Sequence, residues 1–412
     1  MIRDGRSRRP LAVLLALLAF AAAPPARADE AASLAARVET ARQLVERVRG
    51  VRFRAPVASA LLPERELEAV LGRKLVEDLP VPFETYAASL SAIGLIDPTP
   101  DLLSRLTRLY TRQVVGFYDP AERKFYVVPE RTGGGEGEAG DLMEQLLLSH
   151  ELTHALQDQR LDLDRRMKGL RDSTDALLAL QAFLEGEATV LMTEALLESV
   201  PAEAREALGG DPLGQILESL DDPSAVEGAE GVPEFLVKEL VFPYAAGTAW
   251  VRQKRAEGGW AAVDAVYDRL PSTTREILRP GVALSPRRLL SPADRPNARR
   301  VPAGMAAAYS DTLGEWVLGA LLERAGAGED AGPAAAAWQD DRVVFFAPKG
   351  APAGHGVGFL WRIRASDPAA AARIAALLRP LYAERPAPAR PSVTTRGAVV
   401  EVSRGTTRRP AG

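Results

Sequence analysis

His150-Glu151-Leu152-Thr153-His154 is the stretch on which the reading of this chain turns. The chain holds three histidines, and two of them lie four residues apart around a glutamate. Residues four apart on a helix share a face, so the two imidazoles can bind one metal ion together. The glutamate points to one side of them, where it can take a proton from a metal-bound water. This is the HExxH arrangement of a zinc hydrolase.

Outward from the motif, apolar residues at helical spacing extend the helix from about Asp141 to Gln159. The glycine-rich stretch Thr132–Gly140 before it reads as a loop. Gln113–Tyr118 and Lys124–Val128 are β-rich on either side of an Asp119–Arg123 turn, the pattern of a hairpin. A second long helix is expected at Ser173–Glu198. Upstream, helices are expected at Glu30–Arg49, Pro63–Asp78, Pro82–Ile93 and Pro100–Arg108, with proline at or before several starts. Downstream, they are expected at Asp211–Asp222, Glu234–Gly258, Trp260–Leu270 and Thr273–Leu278. Pro280–Pro302 is rich in proline and arginine and reads as a connector. Beyond it, Thr312–Arg324 and Pro368–Ala383 are helical, while Asp341–Ala347, Gly358–Arg364 and Val393–Val402 are strand-like.

The expected fold class is α+β, mainly helical. An all-helical N-terminal segment (29–110) precedes a catalytic domain (111–280) made of the hairpin, the motif helix and a second ligand helix. A connector (281–305), a smaller α+β C-terminal domain (306–404) and a disordered tail (405–412) follow.

Residues 1–28 read as an export signal. Arg3, Arg6, Arg8 and Arg9 begin it, and Leu11–Ala23 is an apolar run of 13 residues, short for a bilayer span. Ala26-Arg27-Ala28 is a small-x-small cleavage site, so the mature chain is expected to begin at Asp29. The alternative is an uncleaved membrane anchor. No other segment reads as long and apolar enough to cross a membrane, so no stable span is expected after signal removal. The expected location is periplasmic or secreted.

The chain has no cysteine, which excludes disulfides and thiolate chemistry and leaves His, Asp and Glu as metal ligands. Residues 1–28 hold five Arg and one Asp. Residues 29–412 therefore carry 46 basic and 54 acidic groups, net −8. That balance argues against a nucleic-acid partner. Oligomeric state is not written in the sequence.

Two histidines do not complete a catalytic zinc site, which usually has three protein ligands and one open position. A metzincin would place Gly and His where this chain has Gln157 and Arg160, so that class is excluded. His355, in a Gly/Pro-rich loop some 200 residues away, reads as a solvated residue. The better source is the otherwise apolar stretch around Phe183-Leu184-Glu185-Gly186-Glu187-Ala188, where a charge needs a partner. Glu185 and Glu187 are about 200° apart around a helix, so one of them faces the metal.

His150-Glu151-x-x-His154 followed by Glu185-Gly186-x-Ala188 resembles the gluzincins, zinc metallopeptidases of the peptidase MA-like superfamily. Their aminopeptidase branch carries Glu-Gly-x-Ala on its second helix, and that glutamate is the third zinc ligand. The resemblance therefore implies a zincin-like catalytic domain with Glu185 as third ligand, and leaves Glu187 behind the ligands or on the surface. The spacing after His154 is longer here than in those aminopeptidases. The wider pattern is similar to an exported, largely uncharacterised bacterial gluzincin-like group. It is carried by Gly116-Phe117-Tyr118-Asp119, by the run from His150 to Gln159, by Glu185-Gly186-Glu187-Ala188, by Phe242-Pro243-Tyr244-x-x-Gly247 and by Ser272–Leu278. These cover about residues 110–280. Where that pattern has a histidine before a proline, this chain has Arg279 before Pro280.

The resemblance implies an exported Zn2+-dependent peptidase acting on a peptide or protein substrate. His150, His154 and Glu185 would hold the zinc, Glu151 would be general base and proton shuttle, and Tyr244 or Arg279 would stabilise the oxyanion. The hairpin would offer an edge strand to an extended peptide. Asp175 would either orient a ligand histidine or serve as a carboxylate at a helix N-terminus. The competing expectations are a non-catalytic exported zinc-fold scaffold that binds a cell-envelope partner, and a zinc hydrolase acting on a non-peptide amide.

Overall fold

The computed structural model of the chain describes residues 14–15, 29–77, 79–131, 138–200, 226–280, 289–383, 385–386 and 390–405. The helix expected at Asp211–Asp222, the tail from residue 406, and the export segment apart from Leu14–Leu15 lie outside the described residues. What is described is α+β, mainly helical, with two separate sheets.

Two compact units are each assembled from separated stretches of chain. The first takes residues 1–78, 101–169 and 180–270, and the second 79–100, 170–179 and 271–412. The helix Phe83–Ile93 belongs to the second unit because the Tyr382 hydroxyl donates to the Ile93 carbonyl at 2.7 Å and Arg385 Nη1 to the Ala92 carbonyl at 2.9 Å. The stretch 170–179 belongs there because Thr174 is bonded by Asp311, and Asp175 by Thr274.

In the first unit the helix Asp29–Arg49 turns Leu34, Val38, Ala41 and Val45 to one side, the spacing of a single helical face. That face packs with Leu148, Leu152, Ala155 and Leu156 of the motif helix, Glu138–Leu161. Tyr118, Phe125 and Val127 of the hairpin close the same core. The apolar stripe leaves His150, Glu151 and His154 on the adjoining side of their helix.

The hairpin strands Gly116–Asp119 and Lys124–Val127 pair antiparallel, with Gly116 opposite Val127 and Asp119 opposite Lys124. Ala58–Leu61 adds a parallel strand beside Lys124–Val127. Leu14–Leu15 adds antiparallel to Gly116–Asp119, with Leu14 opposite Tyr118. The strand Ala58–Leu61 corrects the expectation of an all-helical N-terminal segment. Its sequence, Ala-Ser-Ala-Leu, has no β-branched or aromatic residue, so pairing rather than propensity makes it a strand. Within Glu234–Asp268 the two helices expected at Glu234–Gly258 and Trp260–Leu270 meet at a kink, where Gly258 and Gly259 have non-helical backbone.

The second unit is built on five antiparallel strands in the order Met305–Asp311, Trp338–Pro348, Gly358–Ala365, Val399–Arg404, Ser392–Arg396. The single strand expected at Val393–Val402 is a hairpin, turned by Gly397 at φ 57°. Buried Trp338, Phe345, Phe359, Trp361 and Ile363 fill its core with Leu318 and Leu321 of the helix Gly314–Arg324 and Ile374 and Leu378 of Pro368–Ala383. Asp341 is buried among them, yet it accepts hydrogen bonds from Trp338 Nε1 (2.9 Å), Trp361 Nε1 (2.8 Å), Leu313 N (3.0 Å) and Gly314 N (2.9 Å). Four donors offset the cost of burying one carboxylate.

One described helix, Thr174–Ser199, is long and apolar enough by composition to cross a membrane, contrary to the sequence expectation. Of its most apolar window, 78% is buried inside the protein, and it carries Glu185.

Candidate metal centre

His150 and His154 stand one turn apart on the motif helix, and Glu185 meets them from Thr174–Ser199. His150 Nε2 lies 3.2 Å from Glu185 Oε2 and 3.2 Å from His154 Nε2, and His154 Nε2 lies 3.5 Å from Glu185 Oε2. Two donors at bonds of about 2.0–2.1 Å around a tetrahedral ion stand about 3.3–3.4 Å apart. The triangle formed by these three atoms has that size. All three residues are buried, and their two nitrogens and one oxygen suit a borderline metal ion. The cluster can hold a metal ion.

The charges are coupled. Burial alone would lower both imidazole pKa values, and at His150 it prevails. At His154 burial is the largest single influence, yet Glu185, Glu151 and Gln157 together outweigh it and raise the pKa to about 9. Burial works to raise the Glu185 pKa, but the two imidazoles overcome it and hold the carboxylate ionised.

Glu151 is buried beside this cluster, and its Oε2 accepts the backbone N–H of Tyr118 at 2.9 Å. The hairpin strand thus anchors the carboxylate that lies between His150 and His154 in sequence. Tyr118 is itself fixed, its hydroxyl donating to Asp158 at 2.8 Å.

Tyr244 reaches the centre from Glu234–Asp268. Its ring stacks on His150, with centroids 6.4 Å apart and planes 16° from parallel, and its hydroxyl lies within the influence of the Glu185 carboxylate. Burial, reinforced by Glu185 and Glu151, pushes its pKa well above the ordinary phenol value, so it stays a neutral O–H donor. Tyr244 comes this close because Gly247, one turn later, lies in backbone contact with the ligand helix. A Cβ on Gly186 would collide with the Gly247 carbonyl, and a Cβ on Gly247 with the Ala182 carbonyl.

Arg279, Asp175 and His355 each have a partner within the second unit. Arg279 belongs to the second unit, where its Nε and Nη2 donate to Glu315 Oε1 at 3.1 and 2.7 Å. Asp175 bonds Thr274. Its Oδ1 accepts the N–H and the hydroxyl of Thr274 at 2.7 and 2.6 Å, at the start of the helix Thr274–Leu278. His355 is exposed in its loop, with Nδ1 against the Ala353 carbonyl.

Sequence reasoning missed Gln157. Its Oε1 lies 2.9 Å from His154 Nδ1. It sits three residues after His154 on the same helical face, which was the signal available. Glu187, left open above, is buried and ion-paired with Arg49 at 2.8 Å.

Residues 299–409 match a family described as a domain of unknown function (DUF8575). No curated protein matches the chain. A crystal structure of a candidate hydrolase with a novel fold, from Chloroflexus aurantiacus, is similar at 21% identity and a TM-score of 0.39, covering 63% of this chain and 90% of that one.

Proposed function

We propose that this chain is an exported zinc metallopeptidase of gluzincin type. The observation that carries the reading is the buried triangle of His150, His154 and Glu185, with Glu151 and Tyr244 held against it. Zinc, when bound there, would lower the pKa of a water toward neutrality and polarise a carbonyl.

Each side chain then has a task. Glu151, fixed by the Tyr118 N–H, takes the proton of the attacking water at its carboxylate and delivers it to the leaving amine. Tyr244, kept protonated, donates its hydroxyl hydrogen to the oxygen on which charge develops. The oxyanion role goes to Tyr244 rather than Arg279, whose guanidinium is engaged by Glu315. A peptide substrate is favoured by the strand that anchors Glu151. The outer edge of Gly116–Asp119 takes an extended antiparallel segment at Leu14–Leu15, the pairing a peptide backbone would use.

Metal analysis of residues 29–412 beside Glu185→Ala tests the ligand set. The wild type is expected to carry one zinc per chain and the variant none. Full zinc occupancy in the variant removes Glu185 from the set.

A further inference from the structure

We propose that Gln157, set by the buried pair Glu187–Arg49, is the positioning residue for the ligand His154; this rests on the metal reading above. Gln157 Nε2 donates to the Leu184 carbonyl at 2.9 Å and to Glu187 Oε2 at 3.0 Å. With both amide protons committed, its Oε1 must be the atom that faces His154 Nδ1 at 2.9 Å. In the neutral ring that a metal ligand must be, Nδ1 therefore carries the proton and donates it, which leaves Nε2, on the side of His150 and Glu185, free to bind an ion. Turning the amide over would set its oxygen against two acceptors, the Leu184 carbonyl and Glu187 Oε2.

Glu187 is the fixed point of this chain of contacts. It accepts from Arg49 Nε at 2.8 Å and from the Tyr267 hydroxyl. Arg49 and Glu187 are both almost wholly buried, so each charge depends on the other. Arg49 Nη2 also donates to Asp264 Oδ1 at 2.8 Å, which takes Arg160 Nη1 at 2.7 Å, and the Arg49 guanidinium lies over Trp260, 4.4 Å from the ring centroid. Four helices thus converge on the rear of one imidazole: Asp29–Arg49, Glu138–Leu161, Thr174–Ser199 and the end of Glu234–Asp268.

The arrangement explains why position 157 holds an amide rather than a carboxylate. A carboxylate would accept from His154 equally well, but it would face the Glu187 carboxylate across about a hydrogen-bond length. Only a side chain that accepts on one side and donates on the other joins the imidazole to Glu187. His150 has no equivalent partner among the described residues. Its Nδ1 meets no hydrogen-bonding group among the described residues. His154 is the ligand whose orientation is built in.

The test is metal affinity, because a purely structural role would not set it. Zinc dissociation constants of residues 29–412 would be measured by competition with a chromophoric chelator, and the cobalt-loaded forms would be compared by their d–d absorption. Gln157→Leu and Gln157→Met are expected to weaken zinc binding roughly 10- to 100-fold and to shift the cobalt spectrum. Glu187→Gln should move both in the same direction. Ile374→Ala, which opens a cavity in the core of the second unit, should lower thermal stability and leave affinity within about twofold. If the wild type binds zinc and both Gln157 variants bind it equally, with unchanged cobalt spectra, the positioning role is overturned while the metal centre stands. If the wild type binds neither ion, the metal reading falls, and this inference with it.

Discussion

Gly186 and Gly247 bring two helices into backbone contact beside Glu185 and Tyr244, and neither position has room for a methyl group. Gly186 follows Glu185, and Gly247 lies one turn beyond Tyr244, so this contact sets the distance between ligand and hydroxyl. Alanine in place of glycine ordinarily favours a helix by about 1 kcal/mol. Here the clash should reverse the sign. Gly186→Ala and Gly247→Ala are each expected to destabilise the chain by about 1–3 kcal/mol in denaturant unfolding. Stabilisation by either substitution would show that the helices are not in contact.

Tyr244→Phe isolates the hydroxyl from the ring. The phenyl group keeps the stack on His150, so bound metal should be unchanged. Removal of one donor to a developing oxyanion costs about 10²- to 10³-fold in kcat. A variant with wild-type kcat would move the oxyanion role elsewhere.

Acid should relieve a cost at Asp311. Burial, against bonds from Thr174, pushes its pKa from 3.8 up to about 6. A carboxyl with a raised folded-state pKa contributes stability that is fully present below the unfolded value and is lost as pH rises through the folded one. At neutral pH the ionised group therefore costs the fold roughly 3 kcal/mol at most. Asn at this position can still accept from Thr174 N and donate to Thr174 Oγ1, the two atoms that Asp311 holds at 2.8 and 2.6 Å. Asp311→Asn is expected to be more stable than wild type at pH 7–8, with the difference closing between about pH 6 and pH 4. Equal stability across that range in chemical denaturation would contradict the raised pKa.

Much of the centre was legible because its signals are local. His150, Glu151 and His154 are fixed by helical spacing, and the charged pair in the apolar run at Phe183–Ala188 marked a partnered site. The hairpin was marked by β-rich residues about a turn, and its role in anchoring Glu151 through a backbone N–H left no trace in side-chain identity. The strand Ala58–Leu61 and the partition of the chain into two interleaved units depend on pairing between distant residues. Periodicity does not report such pairing. Gln157 was visible only as the residue that excluded one zinc class. Its work depends on Glu187 and Arg49, which lie 30 and 108 positions away.

The central claim is that Glu151 moves the proton in a metal-dependent peptide hydrolysis. Residues 29–412 and the Glu151→Gln variant, both loaded with zinc, would be incubated with a proteome-derived peptide library, with bound metal assayed in the same samples. The account predicts one zinc per chain in both, cleavage by the wild type, and a rate lower by about 10²- to 10⁴-fold in the variant. Cleavage by the variant at the wild-type rate, or no cleavage by a fully zinc-loaded wild type, would contradict it.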